Sequence, residues 1–221
     1  LQGHQPVQCT NGGPWFYSMK LKVSPAVLIP RPETEELADM VIRYLTNKPG
    51  AQVLDIGTGS GCISIAIKKN CPDADVTAID VSIDALDIGK ENAQNQQTVI
   101  SFHELNFLEE KSRELLHSYD VIVSNPPYIP ENEKGKLDKN VTAFEPHTAL
   151  FVTNERPLVF YEMIALFGQA HLKTHGKLFM ETHEDLADEV AALFHNDFYN
   201  STIVKDISGK NRFVMATHHS L

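Results

Sequence analysis

From Gln52 onward, short runs rich in Val and Ile alternate with amphipathic stretches, and no other feature of the chain restricts its fold as much. The runs Gln52–Ile56, Asp75–Asp80, Val99–Glu104, Tyr119–Ser124 and Lys177–Glu181 read as strands. The stretches Gly61–Lys69, Ser82–Asn95, Leu108–His117, Arg156–Leu172 and Glu184–Phe194 read as helices. Strands alternating with helices imply βαβ units, right-handed crossovers and a mostly parallel sheet. The alternation breaks near the end, where Ser201–Ile207 and Arg212–Thr217 flank Ser208-Gly209-Lys210-Asn211, a hairpin signal. A parallel sheet that ends in a hairpin must contain one reversed strand. The expected class is therefore α/β, a doubly wound, mostly parallel seven-stranded sheet with a C-terminal antiparallel hairpin strand.

With 221 residues, 42% of them apolar and 22% charged, the chain can bury one substantial core, and residues 31–221 read as that domain. Residues 1–30 are rich in Gly and Pro and read as an N-terminal extension. It holds a hairpin through Trp15-Phe16-Tyr17 and Met19-Lys20-Leu21-Lys22-Val23. Pro32 and the acids at 33, 35 and 36 suit the start of a helix, and Leu37, Met40, Val41, Tyr44 and Leu45 keep helical spacing up to Pro49-Gly50.

A formal net charge of −10 argues against a protein held mainly to nucleic acid or anionic lipid, since such binding needs basic clusters. No run of about 18 apolar residues is present, so no membrane span is expected. The three cysteines, Cys9, Cys62 and Cys71, make no CxxC pair, and we expect reduced thiols in a cytoplasmic protein. Ten histidines form no HExxH pair, and no metal site is expected.

Two places carry chemistry. Val53-Leu54-Asp55-Ile56-Gly57-Thr58-Gly59-Ser60-Gly61 puts a glycine turn between a strand and a helix. Glycine admits positive φ and lets backbone approach a ligand closely, and the helix start offers free N–H groups. The spacing is GxGxG rather than the GxGxxG of dinucleotide folds. Asp80 closes the next strand, where a carboxylate can accept both hydroxyls of a ribose. Such a turn with an upstream acid, Asp55, favours S-adenosylmethionine, a sulfonium without a pyrophosphate to cradle. Taken singly, the turn also suits a structural loop and Asp80 a helix cap.

The second place is Asn125-Pro126-Pro127-Tyr128, directly after the strand Tyr119–Ser124. Two prolines stiffen the turn, so the Asn125 side-chain oxygen and the Pro126 carbonyl can serve as fixed acceptors for an NH2 group on a planar carbon. Holding both N–H bonds frees the nitrogen lone pair for an incoming methyl group, while Tyr128 packs over the planar acceptor. A Pro-Pro loop with a capping Asn is the plainer alternative.

These residues resemble the release-factor glutamine N5-methyltransferases (HemK/PrmC) within the class I, Rossmann-like, S-adenosylmethionine-dependent fold. The resemblance is carried by Leu28–Glu35 (LIPRPETE), Val53–Gly61 (VLDIGTGSG), Asp80, Ser124–Tyr128 (SNPPY), Phe144–Leu150 (FEPHTAL) and the strand end at Glu181. It implies methylation of the side-chain amide nitrogen of the GGQ glutamine of class I peptide chain release factors. It also implies that Gly57, Thr58, Gly59, Ser60, Gly61, Asp80, Phe107 and Asn125 line the cofactor, and that Asn125, Pro126, Pro127 and Tyr128 hold the glutamine. Of these, Asn125, Pro126 and Tyr128 would act in catalysis. Arg31 and Thr34 are expected near the cofactor or a helix start.

Where that family carries an Asp-Trp pair at the adenine, this chain has Asn106-Phe107. The family's helical N-terminal domain has no counterpart in the sequence, and the start at Leu1 leads us to expect a cut end. Ile129–Asn154, long and without periodicity, reads as a substrate loop or a disordered insertion. The competing functions are an amino-methyltransferase acting on adenine or guanine in DNA, rRNA or tRNA, a cofactor-binding scaffold without catalysis, and an NAD-dependent oxidoreductase. The SNPPY motif is shared with the first of these, while LIPRPETE joined to FEPHTAL selects the glutamine enzymes.

Overall fold

The computed structural model describes residues 13–136 and 145–219. Its centre is a sheet of seven strands: β3 (Gln52–Ile56), β4 (Asp75–Asp80), β5 (Ser101–Glu104), β6 (Tyr119–Ser124), β9 (Leu172–Glu181), β10 (Tyr199–Lys205) and β11 (Asn211–His218). Their spatial order is β10-β11-β9-β6-β3-β4-β5. Strands β3, β4, β5, β6 and β9 pair in parallel, and β11 is antiparallel to both β9 and β10, so the sheet holds the single reversed strand expected from the hairpin.

Side chains alternate between two apolar layers. Val53, Val121, Val123 and Phe179 face one cluster, which also takes Leu37 and Val41 of α1 (Pro32–Leu45) and the apolar face of α2 (Cys62–Asn70). Leu54, Ile56, Ile122, Leu178 and Met180 face the other, which takes Tyr161, Ile164 and Phe167 of α6 (Val159–His171) and Val190 of α7 (Ala187–Leu193). Burial on both faces is why β3 and β6 read as nearly continuous apolar runs. Helix α1 begins on Pro32 with Glu33 and Glu35 in its first turn, as its sequence predicts. Helix α3 (Ile83–Asn95) starts on Ser82, whose hydroxyl accepts the Ala85 N–H.

The N-terminal hairpin pairs β1 (Trp15–Phe16) with β2 (Met19–Lys20), and Phe16, Met19 and Leu21 are buried in the α1–α2 layer. Residues 1–12 of the expected extension lie outside the described residues. Asn92 of α3 clamps the backbone just past the hairpin: its Oδ1 accepts the Lys22 N–H at 2.7 Å, and its Nδ2 donates to the carbonyls of Lys22 and Ser60, both at 2.9 Å.

Several boundaries differ from the sequence reading. Strand β5 begins at Ser101, because Val99 projects into solvent ahead of the ladder. The helix read over Leu108–His117 shrinks to α4 (Glu110–Arg113), since Leu108 and Leu115 are exposed and, of the three leucines, only Leu116 packs into the core. Helix α6 starts at Val159 rather than Arg156 and runs straight into β9, which starts at Leu172 rather than Lys177. The early part of β9 bulges at His175, whose φ is +62°, between the pairs Tyr119–Leu172 and Val121–Lys177. The last helix divides into a 3₁₀ turn, Glu184–Leu186, and α7.

The stretch read as an unstructured loop is organised at both ends. β7 (Ile129–Pro130) pairs in parallel with β8 (Phe151–Val152). A 3₁₀ turn, Glu131–Lys136, follows β7, and α5 (His147–Leu150) leads into β8. Residues 137–144, including Phe144, lie outside the described residues.

Candidate active site

The sheet order reverses between β3 and β6, where Ile56 pairs with Ser124. In open α/β sheets a cleft opens at the carboxyl ends of strands at such a reversal. Both chemical motifs of the sequence leave the sheet there.

After β3, the N–H groups of Gly57 and Thr58 both donate to the Ile79 carbonyl, at 2.9 and 3.0 Å, which anchors the turn to β4. Gly57 and Gly59 have φ of +72° and +53°, and a methyl group added to either would meet no atom within 4 Å. The turn thus bares its backbone to open space. Beneath it, Asp55 Oδ2 accepts the hydroxyls of Thr58 at 2.7 Å and Ser64 at 2.6 Å. Burial raises the Asp55 carboxyl to about 6 against the pull of those two bonds. Gly59 N–H donates to Asp80 Oδ2 at 2.9 Å, and Ser82 N–H donates to Asp80 Oδ1 at 3.0 Å.

The cleft above this turn spans about 980 Å³, a volume that includes its open mouth to solvent. One wall is Ala26, Val27, Leu28 and Pro30, the floor is Gly57 to Ser60, and Asp80 stands at one end beside Asn106 and Phe107. Among the described residues of the lining Asp80 alone is charged, which suits a cation better than a pyrophosphate. Phe107 is buried and meets Phe167 edge-on at 5.4 Å. Asn106 is turned back on its own loop, accepting the Leu108 N–H and donating to Glu109 Oε1. Phe160 of α6 also lines the cleft; its apolar position in a helix looks like ordinary core in the sequence.

Asn125, Pro126, Pro127 and Tyr128 follow β6 and line a second, smaller cleft with Arg31, Ile129, Leu150 and Glu181. Leu28, Asn125, Pro127 and Ala149 line both clefts, so the two cavities share one wall. Asn125 Nδ2 donates to Thr34 Oγ1 at 3.2 Å, and Thr34 in turn donates to Glu181 Oε2 at 2.8 Å. Burial raises the Glu181 carboxyl to about 7, although Thr34, Arg212 and Arg31 favour its charged form. Burial also pushes the Tyr128 phenol up to about 12, which makes it a neutral wall rather than a base. Arg31 pairs with buried Glu145 at 2.5 Å. Glu145 belongs to the FEPHTAL segment, which thereby reaches the RPETE segment.

Comparison with known proteins decides among the competing functions. The chain is 40% identical over 217 residues to the release factor glutamine methyltransferase of Bacteroides thetaiotaomicron, covering 98% of this chain and 77% of that one. It is 42% identical over 219 residues to the enzyme of the same name from Streptococcus pneumoniae, covering 97% and 76%. The chain belongs to the release factor glutamine methyltransferase family. Residues 33–144 match the model of the methyltransferase small domain. Among solved structures, a methyltransferase from Pyrococcus furiosus superposes with a TM-score of 0.66 at 16% identity, covering 92% of this chain and 90% of that one, which shows the shared class I fold.

In this release factor glutamine methyltransferase chain, most residues singled out from sequence converge on the two clefts. Gly57, Thr58, Gly59, Ser60, Asp80 and Phe107 line the first, Pro126 and Tyr128 line the second, and Asn125 and Pro127 line both. Gly61 lies apart from these residues. It caps α2 behind the turn with φ +78°, and a methyl group there would lie 3.3 Å from Gly89 Cα, so it serves close helix packing and does not line the cleft. Among the described residues, no cluster of three or more His, Cys, Asp or Glu side chains is arranged to hold a metal.

Proposed function

We infer that the protein transfers a methyl group from S-adenosylmethionine to the side-chain amide nitrogen of the GGQ glutamine of a class I peptide chain release factor. Family membership supports the reaction. The single structural observation that supports the reading is the wall shared by the two clefts, both lined by Asn125, which we read as a donor cavity and an acceptor cavity.

The first cleft fits the cofactor. Its bare glycine backbone leaves room beside the turn, and the one charge among its described residues is an acid. In this reading Gly57, Thr58, Gly59 and Ser60 hold the amino-acid part, Asp80 the ribose, and Phe107 the adenine. S-adenosylmethionine bound there supplies an electrophilic methyl group. Asn125 Oδ1 and the Pro126 carbonyl accept the two N–H bonds of the glutamine amide, which withdraws its lone pair from the adjoining carbonyl. Pro127 and Tyr128 wall the acceptor from water, and Tyr128 stays neutral. No strong base is required, because the proton leaves an already cationic nitrogen. This is catalysis by positioning and electrostatics.

Residues 31–221 carry this chemistry, and Ala26, Val27 and Leu28 at the end of the N-terminal extension complete the first cleft. The partner is the release factor itself, met in the cytoplasm and without direct nucleic-acid binding. The test is mass spectrometry of a release factor incubated with this protein and labelled cofactor. A methyl group on the GGQ glutamine, lost in Asn125→Ala while cofactor binding persists, is the expected result. Label appearing on RNA or DNA instead would overturn it.

A further inference from the structure

The reaction demands that Asn125 present its oxygen to the acceptor nitrogen, yet a carboxamide has two ends of nearly equal size and shape. Turned the wrong way, Asn125 would point an NH2 group at the substrate NH2. That group would either clash with its hydrogens or donate a hydrogen bond to the lone pair that must attack. We propose that Thr34 and Glu181 are positioning residues that fix the rotation of the Asn125 carboxamide, so that its oxygen faces the acceptor amide. The inference rests on the reading that the glutamine amide occupies the second cleft.

A threonine hydroxyl has one proton to give. Thr34 gives it to Glu181 Oε2 at 2.8 Å, which leaves only lone pairs for Asn125, so Asn125 must turn its nitrogen toward Thr34, at 3.2 Å. The oxygen is thereby left on the other side of the amide. Thr34 and Glu181 are each 3% exposed, so water does not compete for these bonds. The topology sets up the relay. β6 and β9 are neighbours, with Ser124 paired to Met180, so Asn125 and Glu181 each come one residue beyond that pair, and the first turn of α1 brings Thr34 to both.

The relay is directional only while Glu181 is a pure acceptor. The ionisable groups around that carboxyl are Arg31 and Glu33 at the start of α1, Arg212 on β11, Tyr128 after β6, Cys62 on α2 and Tyr161 on α6. Burial outweighs the two arginines and leaves the carboxyl near neutrality, at about 7. Once protonated, Glu181 can donate to Thr34, and the freed Thr34 proton then attracts the Asn125 oxygen away from the substrate. The productive rotation therefore belongs to the ionised state.

The experiment measures methylation of a full-length release factor by the whole chain from about pH 5 to about pH 9, alongside the ¹⁵N–¹H resonances of the Asn125 side chain in the same protein. In the wild type, kcat rises as pH passes the Glu181 titration, and the Asn125 amide resonances shift over the same range. Glu181→Gln removes both dependences. Thr34→Val lowers kcat at saturating cofactor about tenfold to a hundredfold, the scale of a misplaced reacting group, and Thr34→Ser restores most of the loss. The relay is overturned if Thr34→Val turns over like the wild type, or if the Asn125 resonances titrate identically in Glu181→Gln. A wild type that leaves the GGQ glutamine unmethylated while Asn125 still follows Glu181 refutes the acceptor and supports the relay.

Discussion

Gly59 donates its backbone N–H to Asp80 Oδ2 at 2.9 Å, so the acid that ends β4 is tied to the glycine turn that follows β3. Asp80 therefore both shapes the turn and lines the first cleft. A carboxylate oxygen has more than one acceptor direction, so the bonds from Gly59 and Ser82 leave capacity for a ligand's hydroxyls.

Asp80→Asn exchanges one acceptor oxygen for an NH2 group that faces a backbone N–H. Cofactor binding should weaken about tenfold to a hundredfold, as expected when a bond to a charged group worth about 1.5–3 kcal/mol is lost. Titration calorimetry with S-adenosylmethionine checks this, and an unchanged Kd would mean that Asp80 does not face the cofactor.

Asn92 is 1% exposed and satisfies three backbone groups, two on Lys22 and one on Ser60. Asn92→Ala would orphan all three without creating a large cavity. We expect a loss of about 2–4 kcal/mol, the scale for several buried groups left without partners. Because Ser60 lies in the cleft floor, cofactor should recover part of that loss in thermal melts, by mass action on the native state.

Asp55 produces a pH-dependent stability of definite sign. Its folded carboxyl titrates at about 6, above the unfolded value of about 3.9, so the native state holds more protons between the two. Stability contributed by this group is full at low pH and falls as pH rises from about 4 to about 6. Asp55→Asn removes that slope. Urea unfolding of both proteins at several pH values should show the variant gaining on the wild type as pH rises through this window, and a constant gap would contradict the prediction.

How much of this was legible in the sequence depended on how far apart the cooperating residues lie. The GxGxG turn and the Asn-Pro-Pro-Tyr turn are local devices, each with its glycines or prolines next to the group it presents, and both lie where their strands predict. The sequence overstates the length of α4 because Leu108, Leu115 and Leu116 suggest a helical face that the packed structure never buries as a whole, with Leu108 and Leu115 exposed. The sequence does not mark Phe160, because an apolar residue on an apolar helix carries no local sign that it borders a cavity.

The sequence by itself determined the sheet class, the reversed C-terminal strand and the two chemical motifs, since period, turn chemistry and proline placement act over a few residues. Only the tertiary structure decided how those motifs are joined. Thr34 and Glu181 are separated by 147 positions, and Asn125 meets Thr34 across 91. Hydrogen bonds over such distances arise from strand order and helix packing, which bring remote groups into one dry space where a single hydroxyl proton decides how an amide is turned.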